Sequence, residues 1–158
     1  MASPIFGRVA EHLAPAAISI SERHGVLVLT LAPAVLNDIV RQLKVDFGFD
    51  LFLDVTAVDW PSRQPRFELV YHFYSTGHRV RARLKTWVTG EHPVVDSLVA
   101  LYASAGFMER ECHDMYGIVF HGNPDLRPIL LYEGFVGHPL RKDYPKEQEQ
   151  PLVPYRSA

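Results

Sequence analysis

The chain of 158 residues has a single cysteine. That excludes an internal disulfide and a cysteine-based zinc site, and it fits a reducing compartment. No Gly-x-Gly-x-x-Gly, P-loop or Cys-x-x-Cys occurs, so nothing supports nucleotide or iron–sulfur binding by this chain. No apolar run approaches the roughly 20 residues that a bilayer-spanning helix needs. The opening MASPIFGRVAEHLAPA lacks the charged-then-apolar order of a secretory signal and the composition of a transit peptide. Neither sign of charge dominates: the net charge of -2 gives no global attraction to nucleic acid or anionic lipid. The expectation is a cytosolic protein that meets a membrane only through a partner. What is present, 47% apolar and 22% charged residues, is ordinary for one globular domain with a real core.

Periodicity orders the first part of the chain. Ile18–Ser21 and Val26–Leu31 read as two short strands about the turn 22–25. A helix should follow, with Pro33 near its first position and Val35, Leu36, Ile39, Val40 and Leu43 on one face. Phe49–Val58 reads as a strand with Leu51, Leu53, Val55 and Ala57 on one side. The clearest signal is a hairpin. Phe67, Leu69, Tyr71 and Phe73, then Val80, Ala82, Leu84, Thr86 and Val88, form a greasy face. The alternating Arg79, Arg81, Arg83 and Lys85 form a wet one, where pairing with Glu68 and His72 of the facing strand is expected. Leu98, Leu101, Tyr102 and Ala105 predict a helix capped by Gly106, and Phe107–Tyr116 a second short one. The order ββαβββα plus a short helix implies an α+β two-layer sandwich: a mainly antiparallel sheet, helices on one face.

Residues 117–158 differ. Prolines stand at 124, 128, 139, 145, 151 and 154, and no period holds for long. Ile118, Val119, Phe120, Ile129, Leu130, Leu131, Phe135 and Val136 are nevertheless too apolar for a solvated tail. The domain therefore reads as 1–116, followed by an extended arm over 117–158. Two placements of the arm stand: across another protein, or folded back over its own sheet.

Two charged knots flank and punctuate this arm. In ERECHDMY (109–116), Glu111 and Asp114 share a helix face, and the spacing predicts a surface ion pair from Arg110 to Asp114. Cys112 stacks with Met108 and Met115 as a core residue; its neighbour His113 points elsewhere, so no nucleophile pair forms. A metal site from His113, His121 and His138 lacks a rigid donor spacing. Arg110, Arg127 and Arg141 have the character of bidentate anchors at a protein interface.

The run GFMERECHDMYGIVFHGNPDLRPILLYEGFVGHPLRKDYP, residues 106–145, closely resembles the signature of the C subunit of NADH-quinone oxidoreductase, the 30 kDa subunit family of complex I. A looser likeness extends upstream through 53–59 and 66–72. The resemblance places the family's charged elements on Glu109, Arg110, Glu111 and Asp114, on Asp125 and Arg127, and on Arg141, Lys142 and Asp143, as subunit-interface residues. Asn123 stands where histidine is usual, Pro128 where a second arginine is usual, and Gly134-Phe135 replaces an acidic–aromatic pair.

Membership implies a non-catalytic, stand-alone subunit of the hydrophilic arm of a proton-translocating NADH:quinone oxidoreductase. It would have no cofactor of its own; FMN, iron–sulfur clusters and quinone belong to the assembled complex. Its partners would be subunits D (49 kDa), B and I, with no nucleic acid, at the cytoplasmic face of the bacterial inner membrane. Rival readings are the equivalent subunit of a membrane-bound hydrogenase, formate hydrogenlyase or deazaflavin-linked dehydrogenase, and a free-standing hydrolase using Glu111, His113 and Asp114.

Overall fold

The computed structural model describes residues 3–147 and 150. Its elements run α1 (Pro4–Leu13), β1 (Ser19–Arg23), β2 (Val26–Thr30), a 3₁₀ turn (Pro33–Val35), α2 (Leu36–Val45), β3 (Leu51–Asp59), β4 (Phe67–Ser75), β5 (Val80–Val88), β6 (Val94–Asp96), α3 (Ala105–Tyr116) and β7 (Val119–His121). Five strands form one sheet in the order β1-β2-β5-β4-β3, antiparallel except where β2 runs parallel to β5. The expected α+β class is therefore what the chain adopts. Among the described residues no helix is long and apolar enough to cross a membrane.

The hairpin signal translates directly. Tyr71 pairs with Leu84 and Phe73 with Ala82, and all four are fully buried beside Phe67 and Leu69. On the other face of the hairpin Lys85 finds the expected cross-strand carboxylate, Glu68, at 2.6 Å. The first hairpin turns on His24 and Gly25, both left-handed (φ 52 and 74), as a two-residue turn between right-twisted strands requires. α2 buries Leu36, Ile39, Val40 and Leu43, the stripe expected of it.

Four features depart from the sequence reading. α1 was not anticipated. Pro4 sits in its first turn, and Ile5, Phe6, Val9 and Leu13 enter the core as one helical stripe. In β3 the pairing register shifts between Phe52 and Asp54. The extra residue reverses the side-chain phase, so Phe52, Val55 and Ala57 face inward while Leu51 and Leu53 are exposed. The predicted helix over 98–105 is a run of turns: Leu101 and Tyr102 donate to the Leu98 carbonyl, and Ala105 to that of Tyr102. The Leu98 amide is held by the Glu109 carboxylate at 2.7 Å, and Gly106 lies inside α3 instead of capping a preceding helix. Finally, β7 pairs in parallel with β6, and Ile118 and Phe120 join the single core cluster. The segment beyond 117 thus begins as core.

The two faces of β5 give a direct test. Leu84 is fully buried and Arg81 exposed. Leu84→Asp should abolish cooperative folding, because an unpaired buried carboxylate costs several kcal/mol. Arg81→Ala should stay within about 0.5 kcal/mol of the parent in chemical denaturation. Equal melting of the two variants would contradict the assigned faces.

Candidate functional site

α3 carries two carboxylates that the fold buries, Glu109 (0% exposed) and Asp114 (3%). Each must find donors, and each finds them on a different loop. Glu109 accepts from the Ser97 hydroxyl at 2.6 Å, the Leu98 amide at 2.7 Å and the Asn123 side-chain amide at 2.8 Å. Burial pushes its carboxyl above the ordinary range, partly opposed by those three bonds. Asp114 receives the successive amides of Ile129, Leu130 and Leu131 on one oxygen, at 2.7, 2.9 and 3.3 Å, an anion-binding nest closed by the protein itself.

Arg110 does not pair with Asp114, as the helical spacing suggested. Its guanidinium donates to the carbonyls of Arg127 and Pro128, at 2.9 and 2.8 Å, and lies 3.7 Å from Asp125. With Asp114 filled by backbone amides, the arm's own carbonyls are what remain within reach. Asp125 folds back on Arg127 through both guanidinium and amide, which holds its carboxyl well below the usual range. Glu111 is exposed.

The end of α3 and the second knot complete the attachment. The His138 ring bonds the Asp114 carbonyl at 2.9 Å, and the Leu140 amide bonds that of Met115 at 3.1 Å, so the arm caps the orphan carbonyls of the helix. Gly117, φ 74, lets the chain turn there, and an added Cβ would meet the His138 ring at 2.6 Å. Further on, the buried Asp59 takes Arg66 as a bidentate partner, at 2.6 and 2.7 Å, and the Lys142 amide at 2.7 Å. Arg66 also donates to Asp143 at 2.8 Å, and Arg141 grips the same carboxylate at 3.0 and 3.1 Å. Burial pushes Asp59 up, but the bonds from Arg66 and Lys142 outweigh it and hold the carboxyl below its ordinary range. Bonds from Arg141, then Arg66, do the same to Asp143. Asp59 and Arg66 entered the sequence reading only within the looser likeness over 53–59 and 66–72; Asn123 stood there only as a departure from histidine, and its role is to satisfy Glu109.

The described part of the arm therefore lies against its own α3 and the β3–β4 turn, with both knots acting as clasps; 148–149 and 151–158 fall outside the described residues. Outward it presents Leu130 (62% exposed), Val136 (68%) and Leu140 (49%), and Phe107 of α3 is exposed as well (61%). The hydrolase reading finds no assembly: Asp114 is saturated by amides, and the His113 ring is bonded to the Ile118 carbonyl at 2.9 Å. Among the described residues no group of three His, Cys, Asp or Glu is placed to hold a metal ion.

Residues 29–150 match the family model of the respiratory-chain NADH dehydrogenase 30 kDa subunit. Similar proteins include the C subunit of NADH-quinone oxidoreductase from Paramagnetospirillum magneticum, 47% identical over 78% of this chain and 62% of that protein. Its namesake from Rhodobacter capsulatus is 46% identical over 81% and 65% respectively. The chain thus spans under two thirds of the length of these relatives. Among solved structures, a trypsin-resistant fragment (1–134) of Nqo5 aligns with TM-score 0.68 at 29% identity, over 77% of this chain and 99% of that one. A chain of an archaeal respiratory membrane complex, the membrane-bound sulfane sulfur reductase, aligns with TM-score 0.79 at 29% identity, over 90% and 85%.

Asp59→Asn should destabilise the chain by about 2 kcal/mol at neutral pH, since a buried partner of Arg66 loses its charge. Because the folded Asp59 and Asp143 carboxyls are held low, their contribution is present above the ordinary aspartate value near 4 and fades as pH falls below it. Denaturation of parent and variant should accordingly converge in acid. A gap that stays constant from pH 7 to pH 2 would exclude this linkage. Gly117→Ala, strained in both φ and space, should cost about 2 kcal/mol; a neutral result would mean that His138 does not cap α3 as described.

Proposed function

Since the chain belongs to the family of the respiratory-chain NADH dehydrogenase 30 kDa subunit, we propose that it is a non-catalytic, peripheral-arm subunit of a proton-translocating NADH:quinone oxidoreductase. The carrying observation is the match over residues 29–150, supported by relatives at 46–47% identity that are named as the C subunit of that enzyme. In this reading the chain braces subunits D, B and I near the quinone site, at the cytoplasmic face of the inner membrane. Its interface residues include the outward sides of both knots: Arg127, Lys142 and Asp143, all exposed, with Glu111. Glu109, Arg110, Asp114, Asp125 and Arg141 serve it indirectly by holding the arm in shape.

FMN, clusters and quinone are the business of the other subunits. Cys112 is a lone, buried thiol that desolvation pushes far up, the opposite of a cluster ligand, which must be a thiolate among others. The exposed apolar side chains of the arm, Leu130, Val136 and Leu140, support a bracing role. Such side chains are costly to leave in water on a domain whose core is already complete.

A related respiratory complex is the second reading, favoured by the likeness to the sulfane sulfur reductase chain. Purification through a tag on this chain from detergent-solubilised membranes separates the two: an NADH-oxidising module should co-purify, with NADH:quinone reductase activity. Its absence from an otherwise intact assembly would favour the related complex. Recovery of the chain alone would sink both. Within that assembly Leu130→Asp and Val136→Asp should each lower subunit recovery at least about tenfold while shifting the free chain's stability by less than about 0.5 kcal/mol. Loss of stability without loss of partners would place these side chains inside the chain's own fold.

A further inference from the structure

One face of the sheet carries the core; the other is polar along β5, where Arg81, Arg83 and Lys85 alternate with the buried Ala82 and Leu84. Register places two rows on that polar face. One runs Val26, Arg81, Tyr74 and the other Val28, Arg83, His72, across β2, β5 and β4. Of the basic stripe on β5, Lys85 is neutralised by Glu68. Arg81 and Arg83 have no ion pair among the described residues, and the Arg83 Nε is buried without a hydrogen-bond partner. The Nε is sealed from solvent, so an acceptor on another molecule would meet the terminal nitrogens of the same guanidinium, which are not among the buried unpartnered atoms. In a chain whose net charge is -2, unpaired positive charge is thus gathered between half-buried valines and a tyrosine on the polar face of the central strand.

We infer that this polar face is a second docking surface, which takes an acidic segment of a partner protein with one carboxylate seated on Arg83 and another near Arg81. The planar guanidinium fork suits a carboxylate held in two bonds, and Val26, Val28 and Tyr74 provide apolar contact on either side. A nucleic-acid backbone fits worse. Two free guanidinium groups are few, and Asp54, opposite His72, and Glu68 put carboxylates on the same face. A second copy docking by the same face would bring two patches of the same unpaired positive charge together. The surface lies apart from α3 and the arm, and it rests on the proposed assembly role only in that the partner is another subunit of that assembly.

Val28→Cys tests the occupancy, since the native Cys112 is buried. Maleimide should label the introduced thiol readily in the free chain and at least about tenfold more slowly in the assembly purified through this chain. Arg83→Lys places an amine at the centre of the face, and a carbodiimide should join it directly to an aspartate or glutamate of another subunit, identified by mass spectrometry. Arg81→Glu, at an exposed position, should weaken retention of that subunit by about 30-fold or more, with little change in the free chain's melting. Equal labelling of the free and assembled chain overturns the inference while leaving the assembly role standing. A cross-link to a second copy, or protection abolished by nuclease, overturns it as well. If no subunit accompanies the chain, both readings fall together.

Discussion

A buried carboxylate with no cation beside it must be satisfied by neutral donors, and α3 places two of them inside the protein. Glu109 and Asp114 together take a hydroxyl, a side-chain amide and four backbone amides. Those donors come from the turn after β6, the loop after β7 and residues 129–131. Much of what surrounds α3 is positioned by that requirement. It anchors the turns that begin at Leu98, and it bends the arm back across the helix that supplies the charge.

The second clasp works with the opposite electrostatics. Asp59, Arg66, Asp143 and Arg141 alternate in sign, and both guanidinium groups lie over the Phe67 ring, at 5.0 and 5.3 Å. Here Coulomb attraction, hydrogen bonds and aromatic contact act together, and the carboxyls are held low, whereas Glu109 is pushed high. Between the clasps the arm is left with apolar side chains facing outward. A segment fixed by its polar backbone and displaying its greasy side chains is shaped to meet another surface. That connects the local chemistry to the bracing role.

The chain itself is economical in reactive groups. Its one thiol is buried, the two buried carboxylates of α3 are held by neutral donors, and its paired charges are taken up in holding its shape. Among the groups left over are the apolar side chains on the outer side of the arm and the two unpaired arginines on the polar sheet face, Arg81 and Arg83. These are the places where the chain has affinity to spare.

Period-two alternation over 67–88 and the helical stripe of α2 determined two strands, a helix and one wet face, since burial acts on each side chain where it stands. The charged runs 109–114 and 141–143 likewise marked the segments that matter, and their likeness to the signature of the 30 kDa subunit carried the family. Tertiary structure alone decided which charges meet. Arg110 reaches Arg127 and Pro128 instead of Asp114, Asp59 reaches Lys142, and Asn123 serves Glu109. The same holds for the β3 bulge that turns Leu51 and Leu53 outward and for the parallel pairing of β6 with β7. Such partners lie far apart in sequence or depend on a one-residue shift, so no local period encodes them. They exist because buried donors and acceptors must all be paired at once, and that condition is satisfied only when the whole chain has closed.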